Sequence, residues 1–185
     1  NFSWFTAGGI NVVTIADIAG VASLLITHKN RYVITNNIEL TRIMDEEGLK
    51  DCGFEAIVYD WFQETEAEAV ERIMSKDLII TDMPGMIYKN YEKAIQVLRY
   101  ELLEPEIQRY KELGEITSKG IEEVLKQVKP GMKECEVVGS LLEHLWKDRI
   151  DTVCVQAGAG DRAFKYRHAI PTEKKIENFL VLNTN

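Results

Sequence analysis

Apolar and polar positions follow two rhythms along the chain. Val21 to Thr27 and Arg31 to Thr35 are apolar runs of strand length, and the polar His28-Lys29-Asn30 between them predicts a hairpin. Asn36-Asn37 ends it, with Asn37 the expected cap of a helix from Ile38 that sets Leu40, Ile43 and Met44 beside Arg42, Asp45 and Glu46. Glu55 to Tyr59 reads as a strand. Glu64 to Met74 reads as an acidic helix with Ala67 and Val70 on its apolar side, and Leu78 to Thr81 as another strand. Strands alternating with helices predict an α/β sheet with helices packed on it.

Asp82-Met83-Pro84-Gly85 breaks this rhythm with a turn. Helical spacing then dominates over Tyr91–Leu103 and Pro105–Val128, where Ile107, Tyr110, Leu113, Ile116, Ile121, Val124 and Leu125 recur every three or four residues. Pro105 suits a first helical turn. Pro130-Gly131 turns the chain into a second helix whose first turn is acidic, complementing the helix dipole. After it come an apolar strand Thr152 to Gln156, a small-residue loop Ala157 to Asp161, a basic and aromatic segment Phe164 to His168, and a strand Phe179 to Leu182. We place a domain boundary near 99, dividing the chain into 1–98 and 99–185. No internal repeat or biased tract is visible.

Composition narrows the function. With 185 residues, 45% hydrophobic and 28% charged, the chain is an ordinary folded protein. A net charge of −8 argues against nucleic acid, which demands clustered Lys and Arg. No apolar run approaches the roughly 20 residues of a membrane span, and no charged-then-apolar leader opens the chain, so a cytoplasmic protein that does not engage the membrane is expected. The chain opens on Asn1 rather than Met, in an already aromatic segment, and we expect it to begin inside a domain. Cys52, Cys135 and Cys154 are isolated from one another and from His, and are expected to be buried, reduced thiols.

Candidate chemistry is sparse. The acidic groups Asp45-Glu46-Glu47 and Glu64 to Glu68 are expected to be solvated helix faces. Gly158 and Gly160 follow a strand, but the dinucleotide and phosphate-loop patterns are incomplete, and a plain turn is the better reading. His28 falls in the hairpin turn and His144 within a helix beside Leu141, Leu142 and Leu145, neither with a visible partner. His168 differs, since it follows Lys165, Tyr166 and Arg167 on a loop between two strands, from which it can reach a ligand. The alternative is that Arg167 and His168 only neutralise carboxylates or satisfy buried carbonyls.

Three segments carry a resemblance. Asn1 to Gly9, Pro130-Gly131-Met132-Lys133-Glu134-Cys135-Glu136-Val137 and His168-Ala169-Ile170-Pro171 resemble, in this order, motifs of the creatinase, aminopeptidase P, prolidase and methionine aminopeptidase superfamily, the pita-bread metallopeptidases. The segment from Leu98 to Ile107 resembles the entry to their catalytic domain, although Glu101 departs from the expected basic residue. The resemblance implies an α/β fold: a creatinase N-terminal-like domain followed by the first helices and strands of an α+β pita-bread domain.

It also implies a function, a metal-dependent Xaa-Pro dipeptidase or aminopeptidase at full length, or a creatinase-like amidinohydrolase. The alternative is a non-catalytic homologue that binds a peptide, a small molecule or a protein. The implied cofactors are two divalent ions, Mn, Co or Zn, held by two Asp, one His and two Glu; the implied partners are a peptide substrate and a second copy in a homodimer. His168 corresponds to a histidine that contacts substrate or the tetrahedral intermediate without ligating metal. Asn183 stands where the first Asp ligand is expected, and a neutral amide is a poor substitute beside two dications. We therefore expect no metal ligand and no catalytic ion within this chain.

Overall fold

The structure, a computed structural model, describes all residues of the chain except 15 and 18. It forms two compact units, Asn1–Glu101 and Leu102–Asn185.

In the first unit a single-turn helix α1 (Phe2–Phe5) precedes the expected hairpin, β1 (Ala22–Ile26) and β2 (Arg31–Asn36). Helix α2 (Leu40–Glu46) leads to β3 (Phe54–Tyr59), which pairs in parallel with β2, so the sheet order is β1-β2-β3. The central strand is buried on both faces. Val33 joins Phe2, Ala22, Ile43, Leu49 and Phe54 on one side, while Ile34 joins Ile57, Ala69, Val70, Ile79 and Tyr88 on the other. This is why Val33-Ile34-Thr35 reads as a continuous apolar run. The expected cap Asn37 is not one: α2 starts from Glu39 without a side-chain cap, and the turn ahead of it is closed by Asn36. Its Oδ1 accepts from the amides of Ile38 and Glu39, whereas the amide of Asn37 donates to Tyr59 and extends the sheet.

Helix α3 (Glu66–Glu71) is shorter at both ends than the spacing predicts, and Thr65 fixes its start. The Thr65 hydroxyl accepts from the amide of Glu68, whose carboxylate accepts from the amide of Thr65. A 3₁₀ turn (Lys76–Leu78) precedes β4 (Ile80–Thr81), which pairs in parallel with β5 (Lys89–Asn90) as a separate two-stranded sheet, before α4 (Glu92–Val97).

The second unit packs two helices on a hairpin-like sheet. Helix α5 (Glu104–Gln127) and α6 (Glu134–Trp146) cover β6 (Val155–Ala159) and β7 (Leu180–Thr184), with a single-turn α7 (Arg162–Lys165) between the strands. The core is Val124, Val137, Leu141, Leu145, Ala159 and Ile176. Strand β6 therefore begins later than predicted and takes in Ala157-Gly158-Ala159, which sequence assigns to a loop. Its small residues are buried, not exposed.

Candidate functional site

The candidate site is the turn from β6 through α7 to Pro171, and it is built on Glu134. This residue opens α6, and its side chain is fully buried. Its Oε1 accepts from the amide of Ala159 at 2.7 Å and from Arg162 Nε at 3.0 Å. Its Oε2 accepts from the amide of Thr172 at 2.8 Å and the Thr172 hydroxyl at 2.6 Å. Burial works to raise the Glu134 pKa, but the Thr172 hydroxyl, the two amides and the Arg162 charge outweigh it and hold the carboxyl below its ordinary range. A buried charge is tolerated only when paired and fully bonded, and this one is both.

The strand register explains why the carboxylate fits there. Gly160 donates to Phe179 and Asn185 to Cys154, so the amides of even-numbered residues in β6 face β7. Those of Ala157 and Ala159 point to the opposite edge. Glu134 takes the amide of Ala159, and the carbonyl of Ala169 takes that of Ala157 at 3.0 Å. Arg162 Nη2 donates to the carbonyl of Ile170 at 2.7 Å. Three of the four positions after His168, Ala169, Ile170 and Thr172, are thus anchored to β6, α7 and α6. Gly158 permits the approach: a Cβ there would lie 3.0 Å from Ala169 Cβ and 3.2 Å from Ala163 Cα. Asp161 receives Lys165 Nζ at 2.8 Å and also Lys174 Nζ, and these two ammonium groups hold its carboxyl far below the carboxylate range.

His168 and Arg167 sit at the tip of this turn, both exposed. The group that neutralises a buried carboxylate is Arg162, not Arg167. Around the tip lie exposed aromatic and apolar side chains: Phe164 stacks on Phe179 with ring centroids 5.3 Å apart, and Arg162 lies 5.3 Å from the Tyr166 ring centroid. Asn183 projects from the sheet face opposite the helices, because Leu180, Leu182 and Val155 pack into the core and Val181 and Asn183 alternate outward. Its register partner is Gln156, whose Oε1 is 3.5 Å from Asn183 Nδ2. Two neutral amides thus face each other where the resemblance places an Asp ligand.

The other sequence candidates separate from this site. His28 is exposed in its turn, as expected, while His144 does have a partner, Glu123 Oε2 at 3.6 Å. The cysteines are free thiols, but none is buried: Cys135 is exposed, and Cys52 and Cys154 are intermediate. The acidic clusters are only partly solvated, since Glu47 is held by Arg42 and by the amide of Ile10, and burial raises the pKa of Glu66. Among the described residues no group of three or more His, Cys, Asp or Glu side chains is arranged to hold a metal ion. The sequence reading missed Glu134, Arg162 and Thr172 as a unit; the signal available was a Glu at the first position of a helix that follows Pro-Gly, which reads equally well as a dipole-complementing surface residue.

No protein-family model matches the chain, and neither does any curated protein. Solved structures do. The chain is similar to an Xaa-Pro dipeptidase from Bacillus anthracis, with 18% identity and a TM-score of 0.68, over 91% of this chain and 50% of that one. It is also similar to an X-Pro aminopeptidase from Thermotoga maritima (16%, TM-score 0.64, 90% and 51%) and to the prolidase from Pyrococcus horikoshii (17%, TM-score 0.62, 89% and 49%). The chain spans about half the length of these structures and has their fold over that span. The mixed α/β architecture and the likeness to the pita-bread peptidases inferred from the motifs are those observed.

Proposed function

We propose that the chain belongs to a peptide-handling protein of the Xaa-Pro peptidase type, a metal-dependent dipeptidase or aminopeptidase at full length, in which His168 meets the substrate. The observation that carries this reading is the anchoring of the His168 turn by the buried Glu134, within a fold shared with Xaa-Pro peptidases. A catalytic side chain needs a supporting shell that locks its backbone, and the bonds at Ala169, Ile170 and Thr172 supply one. The units Asn1–Glu101 and Leu102–Asn185 then correspond to the N-terminal-type domain and the opening of the pita-bread domain.

The residues present do not themselves fit a pair of divalent ions, as the Asn183–Gln156 amides carry no negative charge. When bound in such enzymes, paired ions lower the pKa of a water and stabilise the oxyanion. In this reading the ligands come from outside the span. What this chain contributes is an imidazole able to donate to or accept from a peptide group at the end of a rigid turn, with the Phe164–Phe179 pair and Ile170 as apolar contacts. A homodimer in the cytoplasm is part of the proposal; among the described residues no helix is long and apolar enough to cross a membrane.

The Asn183–Gln156 pair favours a second reading, in which the protein binds a peptide without hydrolysing it. The test is hydrolysis of an Xaa-Pro dipeptide by the full-length protein supplied with Mn²⁺ or Co²⁺, beside the His168→Ala variant. Turnover that falls about 10²-fold or more in the variant supports the peptidase. Saturable binding of the dipeptide with no turnover supports the second reading, and neither binding nor turnover overturns both.

A further inference from the structure

The first unit contains a cleft of about 540 Å³ that the His168 site leaves unexplained. Two uninterrupted stretches line it: Ala22 to Ile26, which is all of β1, and Leu78 to Met83, which contains β4. A sheet face presents every second residue, so an unbroken run means that strand edges, not faces, border the cleft.

Hydrogen-bond phasing agrees at both edges. Thr27 donates to Asn30, and with Leu25 opposite Tyr32 and Ser23 opposite Ile34, the amide groups of Ser23 and Leu25 turn toward β2. Those of Ala22, Leu24 and Ile26 turn away, and the Ala22 carbonyl is met by the Asn11 side chain at 2.7 Å. On the other edge Tyr91 donates to Thr81 at 2.7 Å, so Thr81 faces β5 and the amide groups of Ile80 face away from it. Unpaired strand edges are templates for another strand.

The lining defines the occupant. Leu25, Ile34, Val70, Met74 and Tyr88 make it apolar. Among the described lining residues the charged side chains are two carboxylates, Glu66 and Asp82, with no Lys, Arg or His. Asp82 is occupied by the amide of Asn1, whose carbonyl oxygen accepts from Arg99. Burial penalises the charge of Glu66, the Ser23 hydroxyl bonds to it, and the Tyr59 and Tyr88 phenols feel its field; no cationic side chain among the described residues pairs with it. A five-residue strand spans roughly 17 Å, the length of β1.

We propose that this cleft accepts an extended apolar peptide segment as an added strand between β1 and β4, with a basic side chain set against Glu66. Main-chain bonds to both edges supply affinity, and the half-buried carboxylate selects Lys or Arg. The proposal is independent of any peptidase activity.

The probe is a fluorescent, end-blocked pentapeptide Val-Lys-Val-Leu-Val, titrated into the 185-residue chain by anisotropy, with amide exchange followed by NMR. Saturable binding is expected, with slowed exchange at Leu24, Ile26 and Ile80. N-methylation of either alternating set of peptide amides should weaken binding on the order of tenfold, since the carbonyls of the edge facing that set lose their donors. Replacing the peptide Lys by norleucine should weaken binding several-fold to the natural chain and leave the affinity of a folded Glu66→Gln variant unchanged. The proposal is overturned if N-methylated peptides bind equally well, since the cleft would then take any apolar ligand. It is equally overturned if the Leu24 and Ile26 amides are already slow to exchange in the free chain, because the edge would be closed or held by a second copy.

Discussion

The amide and the hydroxyl of Thr172 both end on one carboxylate oxygen of Glu134, at 2.8 and 2.6 Å, across 38 residues of sequence. The other oxygen is shared by Ala159 and Arg162. One buried side chain therefore ties the start of α6 to the end of β6, to α7 and to the exit of the His168 turn.

Glu134→Ala is expected to destabilise the second unit by about 3–5 kcal/mol, because it leaves Arg162 and three donors unpaired. Glu134→Gln should cost less, since the amide oxygen can serve one side while its NH₂ faces donors on the other. Thermal unfolding of both variants by circular dichroism measures this, and an unchanged midpoint for Glu134→Ala would refute the anchoring role.

His168→Ala is expected to leave stability within about 0.5 kcal/mol of the parent, as for a surface residue away from caps and networks. The side chain is exposed at the tip of the turn. A large drop in the melting midpoint would instead assign His168 a structural role.

Gly158→Ala should destabilise the second unit by about 1–3 kcal/mol through overpacking. The new methyl would meet Ala169 Cβ at 3.0 Å and the backbone of Ala163 at 3.2 Å, and neither is the end of a flexible side chain. Chemical denaturation is the measurement, and the combined variant Gly158→Ala, Ala169→Gly should recover part of the loss.

Glu134 and Glu66 should contribute to the pH dependence of stability with opposite signs. Glu134 has a depressed folded pKa, so its contribution is present above the unfolded value near 4.3 and is lost as pH falls through the folded value. Glu66 has a raised folded pKa, so the native state holds its proton more tightly. The Glu66 contribution to the stability of the first unit therefore falls as pH rises from about 4.3 through that raised value. Amide exchange at Val33 and Leu141, both core residues, reads the units separately. Glu66→Gln should remove this contribution from the first unit, leave the second unit unchanged, and raise the stability of the first at pH 7.

The sequence by itself determined the elements whose signals are local. The hairpin of β1 and β2 follows from two apolar runs about a three-residue polar turn, and the α5 and α6 pair from three-to-four spacing broken at Pro130-Gly131. Motif order also pointed to the fold that the solved structures share. Tertiary structure alone decided what small and charged residues do. Ala157-Gly158-Ala159 has the composition of a loop, yet it is a strand because it pairs antiparallel with Leu180-Val181-Leu182 of β7, where Gly158 leaves room for Ala163 and Ala169. Glu134 reads as one more acid in a helical first turn, and only the convergence of Thr172, Ala159 and Arg162 makes it a buried anchor. Glu66 reads as surface charge until the cleft beside it is seen. Periodicity encodes which face of an element is apolar, whereas the partner of a polar group is fixed by residues tens of positions away. The desolvation that gives such a group its energetic weight exists only once the chain has closed around it.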